Sequence, residues 1–155
     1  MDTCDLDIVK KLVKYGAKVN TKNNEGKTAL MHAADCVIRP DELINFLISQ
    51  GANPGVKDNK WNTLLIRSLE GASGAFETVL KLSGIGINEK NNKGYTALMI
   101  AIYNKHNGYA KALLDEGANI KLKSKDGLTA IDLAYKANNS YMLWYINTVN
   151  ASKFA

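Results

Sequence analysis

The residues best suited to chemistry in this chain of 155 residues are His32, Asp35 and Cys36, which lie within about one helical turn of one another. A cysteine beside a histidine and a carboxylate could act as an activated nucleophile or help to hold a metal. A nucleophile needs a base that a third group orients across space, and closeness in sequence shows none of that. The sequence also has no glycine-rich phosphate loop that opens a helix. We therefore expect no catalysis, no cofactor and no metal site.

The dominant pattern in the chain is a repeat. Two marker residues recur at intervals of 33 to 35 positions, as Thr28, Thr63, Thr96 and Thr129, and as Gly16, Gly51, Gly84 and Gly117. Self-similarity at a period of about 20 to 50 residues indicates a stack of similar supersecondary units. Each unit is too small to bury its own apolar face, so its neighbours complete the core. Such stacks usually work by presenting a surface.

Residues 91–123 show one repeat most clearly. Asn92 and Gly94 favour a turn, and the hydroxyl of Thr96 is placed to cap the helix that follows. A short helix with a narrow apolar stripe is followed by a second helix, which Gly117 ends as a left-handed cap. Each repeat is therefore predicted to be a turn, a helix, a second helix and a loop.

With these residues in view, the chain resembles the ankyrin repeat family, whose units combine a β-turn with two antiparallel helices. The matching stretches are 26–31, 94–99 and 127–132 at the start of a first helix, and 16–20, 51–53 and 117–120 after a second helix. The resemblance implies an all-α solenoid of stacked ankyrin repeats, curved with a concave face. It implies a single domain over 1–155, made of a partial N-terminal repeat at 1–22, full repeats at 23–57, 58–90 and 91–123, and a C-terminal capping repeat at 124–155.

Two departures from a regular stack are visible. The partial repeat at 1–22 matches a second helix without its first, so we expect either a fragment of a longer protein or a minimal cap. The first full repeat is two residues longer than the others, and the extra length falls in 35–40, which should protrude. Pro40 suits the first position of the second helix there.

The resemblance also implies where a partner binds. In the family, partners are gripped by the turn tips and by exposed positions late in each first helix, so the chain is predicted to be a non-catalytic protein-protein interaction module. Alignment places the following residues on that surface: Lys27, Asn59, Lys60, Trp61, Asn62, Glu70, Asn92, Lys93, Tyr95, Tyr103, Lys125, Leu128 and Lys136.

Trp61 is the sharpest anomaly on this surface, because it occupies a turn position that the other full repeats give to glycine. A bulky residue there either adopts a costly positive φ or forces another turn. Interfaces favour tryptophan and tyrosine as anchors, so Trp61, Tyr95 and Tyr103 are predicted to form a binding cluster. The alternative is a drifted turn whose tryptophan is folded onto a neighbour.

A column of lysines is a second surface pattern. It consists of Lys22, Lys57, Lys90 and Lys123, each six positions before its threonine. Stacking would align them along one rim, which would attract an acidic protein surface. Alternatively, these charges are simply solvated, or they track the phosphates of single-stranded nucleic acid while Trp61 and Tyr95 stack on bases. A third alternative is a regulatory or docking region of a longer enzyme.

The last helix is rich in aromatic residues over 141–146, and Trp144 aligns with a position that usually faces solvent. Three interpretations stay open for it. It is a second contact patch, a cap closed by the tail at 151–155, or a junction to further residues.

Composition indicates the kind of partner and the cellular compartment to expect. The formal net charge is +5 and the pI is near 9.1, which favours an acidic protein partner. Cys4 and Cys36 are predicted to be free thiols, as is typical of a reducing compartment. No signal peptide and no long apolar run are visible, so we expect a soluble cytoplasmic protein with no membrane contact. A nucleic-acid partner is disfavoured, because arginine is not dense in the sequence. It should be a monomer unless its open N-terminal end self-associates.

Overall fold

A computed structural model of the chain describes residues 4–71 and 74–148. Within these ranges all regular secondary structure is α-helical. The helices are α1 (Leu6–Lys14), α2 (Ala29–Ala34), α3 (Pro40–Ser49), α4 (Leu64–Ser68), α5 (Ala75–Leu80), α6 (Ala97–Tyr103), α7 (Asn107–Asp115), α8 (Ala130–Lys136) and α9 (Ser140–Thr148). None of the helices in the described part is long and apolar enough to cross a membrane. The prediction of an all-α repeat protein is confirmed.

The chain divides into two compact blocks, an N-terminal block at Met1–Gly86 and a C-terminal block at Ile87–Ala155. Helices α1 to α5 belong to the first block and α6 to α9 to the second. Within the N-terminal block, α2 packs on α3 and on α4, and α5 packs on α4 and α3. Within the C-terminal block, α6 packs on α7 and α8, and α8 packs on α9. First helices therefore lie beside first helices, as in ankyrin repeats.

A threonine precedes each of the first helices α2, α4, α6 and α8, and in three of the four its side chain caps the helix. In three repeats the hydroxyl accepts a hydrogen bond from the backbone N–H three residues later at 3.2 to 3.3 Å, namely at Thr63, Thr96 and Thr129. This bond satisfies one of the N–H groups that the first helical turn leaves without a partner. The predicted cap at Thr96 is confirmed, and so is the left-handed glycine after α7, since Gly117 has φ +86°.

The core of each block is the seam between its helices. The largest buried side chains include Leu30, Ile44, Leu64 and Phe76 in the N-terminal block, and Leu98, Met99 and Ile102 in the C-terminal block. Full burial of a side chain of this size stabilises the fold by about 1.5–3 kcal/mol. Short helices that would be unstable alone are held by this packing.

Successive turns approach each other closely within each block. The backbone N–H of Asn59 donates to the carbonyl of Glu25 at 3.0 Å, and that of Lys125 donates to the carbonyl of Lys93 at 3.1 Å. The approach needs glycine at Gly26, where a Cβ would lie 2.7 Å from the backbone nitrogen of Asn59. These turn-to-turn contacts place residues one period apart side by side.

The longer loop of the first full repeat behaves as its sequence predicts. Helix α3 begins at Pro40, which confirms the proline at the first helical position. The middle of the loop lies at the surface, since Val37 and Ile38 are 72% and 71% exposed, whereas Cys36 and Pro40 are buried.

The prediction of two free thiols is wrong. Cys4 and Cys36 form a disulfide, with their Cα atoms 5.7 Å apart. The physical reason lies in the repeat, because the two cysteines are 32 residues apart and each precedes a second helix. Residues about one period apart become neighbours when repeats stack. The inference of a reducing compartment from free thiols therefore loses its basis.

Candidate protein-binding site

The turn at 58–62 is held by the carboxylate of Asp58. Its Oδ1 accepts hydrogen bonds from the backbone N–H groups of Lys60 and Asn62, both at 2.8 Å. Its Oδ2 accepts a further bond from the side-chain amide of Asn62 at 3.1 Å. Asp58 and Asn62 are both buried, so Asn62 supports the turn from within, although alignment placed it on the binding surface.

Trp61 adopts the strained conformation at the tip of this turn. Its φ is +62°, close to the +76°, +80° and +77° of the glycines at the equivalent positions, Gly26, Gly94 and Gly127. The alternative of a different turn type is thereby excluded. A bulky residue in this region of backbone space costs on the order of 1–3 kcal/mol. The indole is nevertheless 60% exposed, so burial of the ring does not offset that cost.

An open groove lies beside Trp61. It has a volume of about 480 Å³ and is lined by Lys22, Lys57, Asp58, Asn59 and Trp61. The ammonium of Lys57 lies 5.5 Å from the centroid of the indole, within the range of a cation–π interaction. Lys60, next in sequence to Trp61, is exposed. The groove therefore combines one large aromatic surface with positive charge.

The lysine column is confirmed inside each block, and it has a structural role that the sequence did not indicate. The ammonium of Lys22 donates to the backbone carbonyl of Lys57 at 2.9 Å, and that of Lys90 donates to the carbonyl of Lys123 at 2.8 Å. Each bond joins one repeat to the next. These contacts fix the two ammonium groups at the edge of the turns instead of leaving them wholly solvated.

The turn at 23–27 carries its own ion pair. The ammonium of Lys27 lies 2.8 Å from the carboxylate of Glu25, and only 18% of the Lys27 side chain is exposed. The hydrogen bond and positive charge of Lys27 lower the pKa of Glu25. The predicted contact residue Lys27 is thus largely neutralised by its neighbour.

The ends of the first helices α2 and α4 are joined by Arg67. Its guanidinium lies 2.9 Å from the carboxylate of Asp35 and 2.6 Å from that of Glu70. Burial of Arg67 opposes its charge, but the hydrogen bond and charge of Asp35, with that of Glu70, raise its pKa overall. Glu70, a predicted contact residue, is exposed and held in place by this network.

The turn at 91–95 in the C-terminal block repeats the same design with an amide. Oδ1 of Asn91 accepts from the backbone N–H groups of Lys93 and Tyr95, both at 3.0 Å. Asn92 and Lys93 are exposed and Tyr95 is half-buried. Tyr103, at the end of α6, is 49% exposed.

The last turn, at 124–128, uses a hydroxyl in place of a carboxylate or amide. Oγ of Ser124 accepts from the backbone N–H of Leu128 at 3.2 Å. Lys125 is exposed, Leu128 is half-buried, and Lys136 is exposed at the end of α8.

The predicted aromatic cluster stays a prediction. Trp61 belongs to the N-terminal block, whereas Tyr95 and Tyr103 belong to the C-terminal block.

Helix α9 carries a second exposed aromatic group. The ring of Tyr141 lies 6.1 Å from that of Trp144 and stacks at 6.3 Å on that of Tyr145, while Lys111 lies 5.3 Å over the Tyr145 ring. Trp144 is 57% exposed, as its alignment predicts. One of the three interpretations of this helix involves the tail at 151–155, which lies outside the described residues.

The three residues that could take part in chemistry, His32, Asp35 and Cys36, each contact a different partner. Nε2 of His32 is 3.1 Å from the side-chain amide of Asn23, the carboxylate of Asp35 binds Arg67, and the sulfur of Cys36 is in the disulfide. Over residues 4–71 and 74–148, no group of three or more histidine, cysteine, aspartate or glutamate side chains is placed to hold a metal. The sequence cluster is therefore not assembled into a nucleophilic site.

Comparison with known proteins agrees with this geometry. A family model described as ankyrin repeats in three copies matches residues 2–58, and one described as ankyrin repeats in many copies matches residues 84–134, together more than half of the chain. The chain belongs to the ankyrin repeat family. Ankyrin repeats are generally protein-protein interaction modules and are typically non-catalytic.

Two curated relatives are similar to parts of this chain. The chain is 45% identical to myotrophin of Xenopus tropicalis over 49 residues, which are 32% of this chain and 40% of myotrophin. It is 33% identical to an ankyrin repeat protein of Acanthamoeba polyphaga mimivirus over 60 residues, which are 35% of this chain and 10% of that protein. The chain thus spans less than half of the length of either relative.

Proposed function

We propose that this ankyrin repeat chain is a non-catalytic module that binds an acidic segment of a partner protein at the turn 58–62, with Trp61 as the anchor. The observation that carries the proposal is an exposed indole held at positive φ. Strained residues that the surrounding structure over-determines are concentrated at functional sites. Tryptophan is also among the residues most enriched at the energetic centres of interfaces.

The turn itself does not require a tryptophan. Asp58 fixes the backbone through its own hydrogen bonds, and glycine occupies the equivalent position in the other three turns. A glycine would keep the same φ at lower cost. The ring adds little to the core because most of it is exposed. A role toward a partner explains why the indole is presented at the tip.

The charges around the groove favour an acidic partner. Lys57 contacts the indole, Lys60 is exposed beside it, and the Asp58 carboxylate is already occupied by three N–H donors. A carboxylate of the partner would meet positive charge while an apolar side chain of the partner covers the ring. Charge pairs at an exposed site speed association and weaken with added salt.

The remaining predicted contact positions belong to the proposal in each block by itself. In the N-terminal block the proposal includes Asn59 and Glu70. In the C-terminal block the proposal includes exposed residues of the turns and helix ends together with the two half-buried positions, namely Asn92, Lys93, Tyr95, Tyr103, Lys125, Leu128 and Lys136.

The test compares two tryptophans of similar exposure. Proteins captured from cell extract by the wild-type chain are quantified by mass spectrometry beside those captured by Trp61→Gly and Trp144→Ala, since the two indoles are 60% and 57% exposed. We expect the specific partner to lose about thirtyfold in affinity with Trp61→Gly, the effect of removing one hot-spot residue, and to be retained by Trp144→Ala. Affinity for the isolated partner should fall as salt rises.

Two outcomes contradict the proposal. If the Trp61→Gly chain still captures the partner, Trp61 is not the anchor. If the affinity does not change with salt concentration, the partner does not bind through acidic groups. Binding of a single-stranded oligothymidine probe, abolished by Trp61→Gly and steeply salt-dependent, would replace the proposal with nucleic-acid binding.

A further inference from the structure

We propose that the Cys4–Cys36 disulfide is a redox-sensitive clamp, and that its reduction releases helix α1 from the N-terminal block. The disulfide joins Cys4, two residues before α1, to Cys36 in the loop between α2 and α3. It acts on α1, the first helix that the structure describes. The inference does not depend on the identity of the partner.

Helix α1 is only partly packed, since its apolar residues Leu6, Val9 and Val13 are half-buried. None of its residues is buried, and the apolar side chains of Ile8 and Leu12 are 45% and 55% exposed. A helix of nine residues is unstable in water without tertiary packing. Helix α7 has the same length and is likewise a second helix, but it buries Ala110, Leu113 and Leu114 against its neighbours.

The loop that follows α1 is fastened independently of the disulfide. The side-chain amide of Asn20 donates to the carbonyl of Gly51 at 2.9 Å, and its Oδ1 accepts from the backbone N–H of Asn53 at 2.8 Å. The ammonium of Lys22 adds the bond to Lys57. Reduction therefore frees the beginning of α1 while its C-terminal loop stays attached, and the helix loses one of its two fixed ends.

The chemistry requires a dithiol reductant. One of its thiolates attacks the sulfur of Cys4, which is partly exposed whereas Cys36 is buried, and a mixed disulfide forms as the thiolate of Cys36 leaves. The second thiolate of the reductant then displaces the sulfur of Cys4. The reductant is oxidised by two electrons to its own disulfide, and the two protein thiolates take up protons.

The experiment measures the protection of α1 in the full chain. Peptide mapping without reductant first establishes the Cys4–Cys36 bond, and limited trypsin digestion is then followed with and without dithiothreitol. We expect cleavage after Lys10, Lys11 and Lys14 to become about tenfold faster, or more, on reduction, a modest change for the loss of a cross-link. Cleavage after Lys111 in α7 should stay unchanged, because the C-terminal block contains no cysteine.

Variants separate the clamp from a general loss of structure. Cys4→Ser should be cleaved in α1 at the fast rate in both conditions, with hydrogen exchange of α2, α3 and α7 unchanged. Failure of the disulfide to form under oxidising conditions would overturn the proposal. So would a Cys4→Ser chain that, in the absence of reductant, protects α1 as well as the oxidised wild type does.

Discussion

The turns at 23–27 and 58–62 share one backbone design. In each, a side-chain oxygen of the first residue, Asn23 or Asp58, accepts from the backbone N–H groups two and four residues later at 2.8 to 3.0 Å. Such a bond mimics a backbone turn and fixes the conformation of the residues it spans. The shared bonds explain why the backbones of the two turns have the same conformation although their fourth residues differ completely.

The fourth residues are Gly26 and Trp61, with φ +76° and +62°. Gly26 faces the next turn so closely that a Cβ would collide with Asn59, whereas the side chain of Trp61 is mostly exposed. The left-handed conformation is therefore imposed by the turn, and glycine is indispensable only where another chain segment approaches. Where space is open, the position can carry a functional side chain at a cost in strain.

The strongest test of this difference is alanine at crowded and open turn glycines. Gly26→Ala and Gly94→Ala should destabilise the protein by about 2–4 kcal/mol, because strain at positive φ is added to a clash with the next turn. Gly127→Ala should cost only about 1 kcal/mol, since no other part of the described chain comes within 4 Å of the point where its Cβ would lie. Urea unfolding of the three variants measures the free energies. Equal losses at Gly94 and Gly127, which share a block, would contradict the role of crowding.

Removal of the side-chain oxygen that holds the turn at 58–62 should have the next largest effect on stability. Asp58→Ala leaves the N–H groups of Lys60 and Asn62 and the buried amide of Asn62 without their acceptor, which should cost about 2–3 kcal/mol. Asp58→Asn keeps an oxygen for the two backbone N–H groups, as at Asn23, but it places an NH2 group against the side-chain amide of Asn62, so it should cost less than Asp58→Ala. Hydrogen exchange at the two backbone amides, combined with urea unfolding, distinguishes the variants. If both are equally destabilised, the turn is held by the charge of Asp58 or by its bond to the Asn62 side chain, and not by the two backbone bonds.

A smaller effect of opposite sign is expected at Trp61. Trp61→Gly should stabilise the folded chain by about 1 kcal/mol, because it relieves strain at positive φ. The same variant should bind the partner more weakly, so stability and binding should move in opposite directions. Trp144→Ala, on helix α9, relieves no such strain and serves as the control in thermal unfolding. A Trp61→Gly chain less stable than the wild type would mean that the indole has a structural role.

Much of the fold follows from local sequence patterns. The period, the threonine caps and the glycine after α7 depend on interactions within a few residues, which the sequence displays directly. The alignment of Lys22 with Lys57, and of Lys90 with Lys123, follows from the period alone. The disulfide obeys the same rule, and the spacing of 32 residues between the cysteines was the signal that could have predicted it.

The orientation of individual side chains was not predictable in the same way. Asn62 was expected at the surface by alignment, but its amide turns inward because Asp58 offers a buried acceptor. The contact of Lys27 with a partner stays a prediction, but the ion pair of its ammonium with Glu25 was not predicted. Both outcomes depend on which neighbour competes for a polar group, and alignment to a family carries no information about that competition.

The turns also differ in the contacts of the threonine that follows each of them, and the smallest effect on stability is expected there. Thr28 makes no side-chain cap bond, whereas Thr129 donates to the carboxylate of Asp132 through its backbone N–H at 2.8 Å and through its hydroxyl at 2.7 Å. These bonds lower the pKa of Asp132 below its ordinary value of 3.8.

A group whose pKa is lowered by folding stabilises the folded state fully above its unfolded pKa, and this contribution disappears as the pH falls through the folded pKa. Asp132→Asn keeps an oxygen acceptor but removes the charge, so it should lower stability slightly near neutral pH and have little effect once Asp132 is protonated in the wild type. Thermal unfolding of both chains at neutral and at acidic pH measures the difference. A gap in melting temperature that is the same at both pH values would show that the carboxylate acts at Thr129 only as a neutral acceptor.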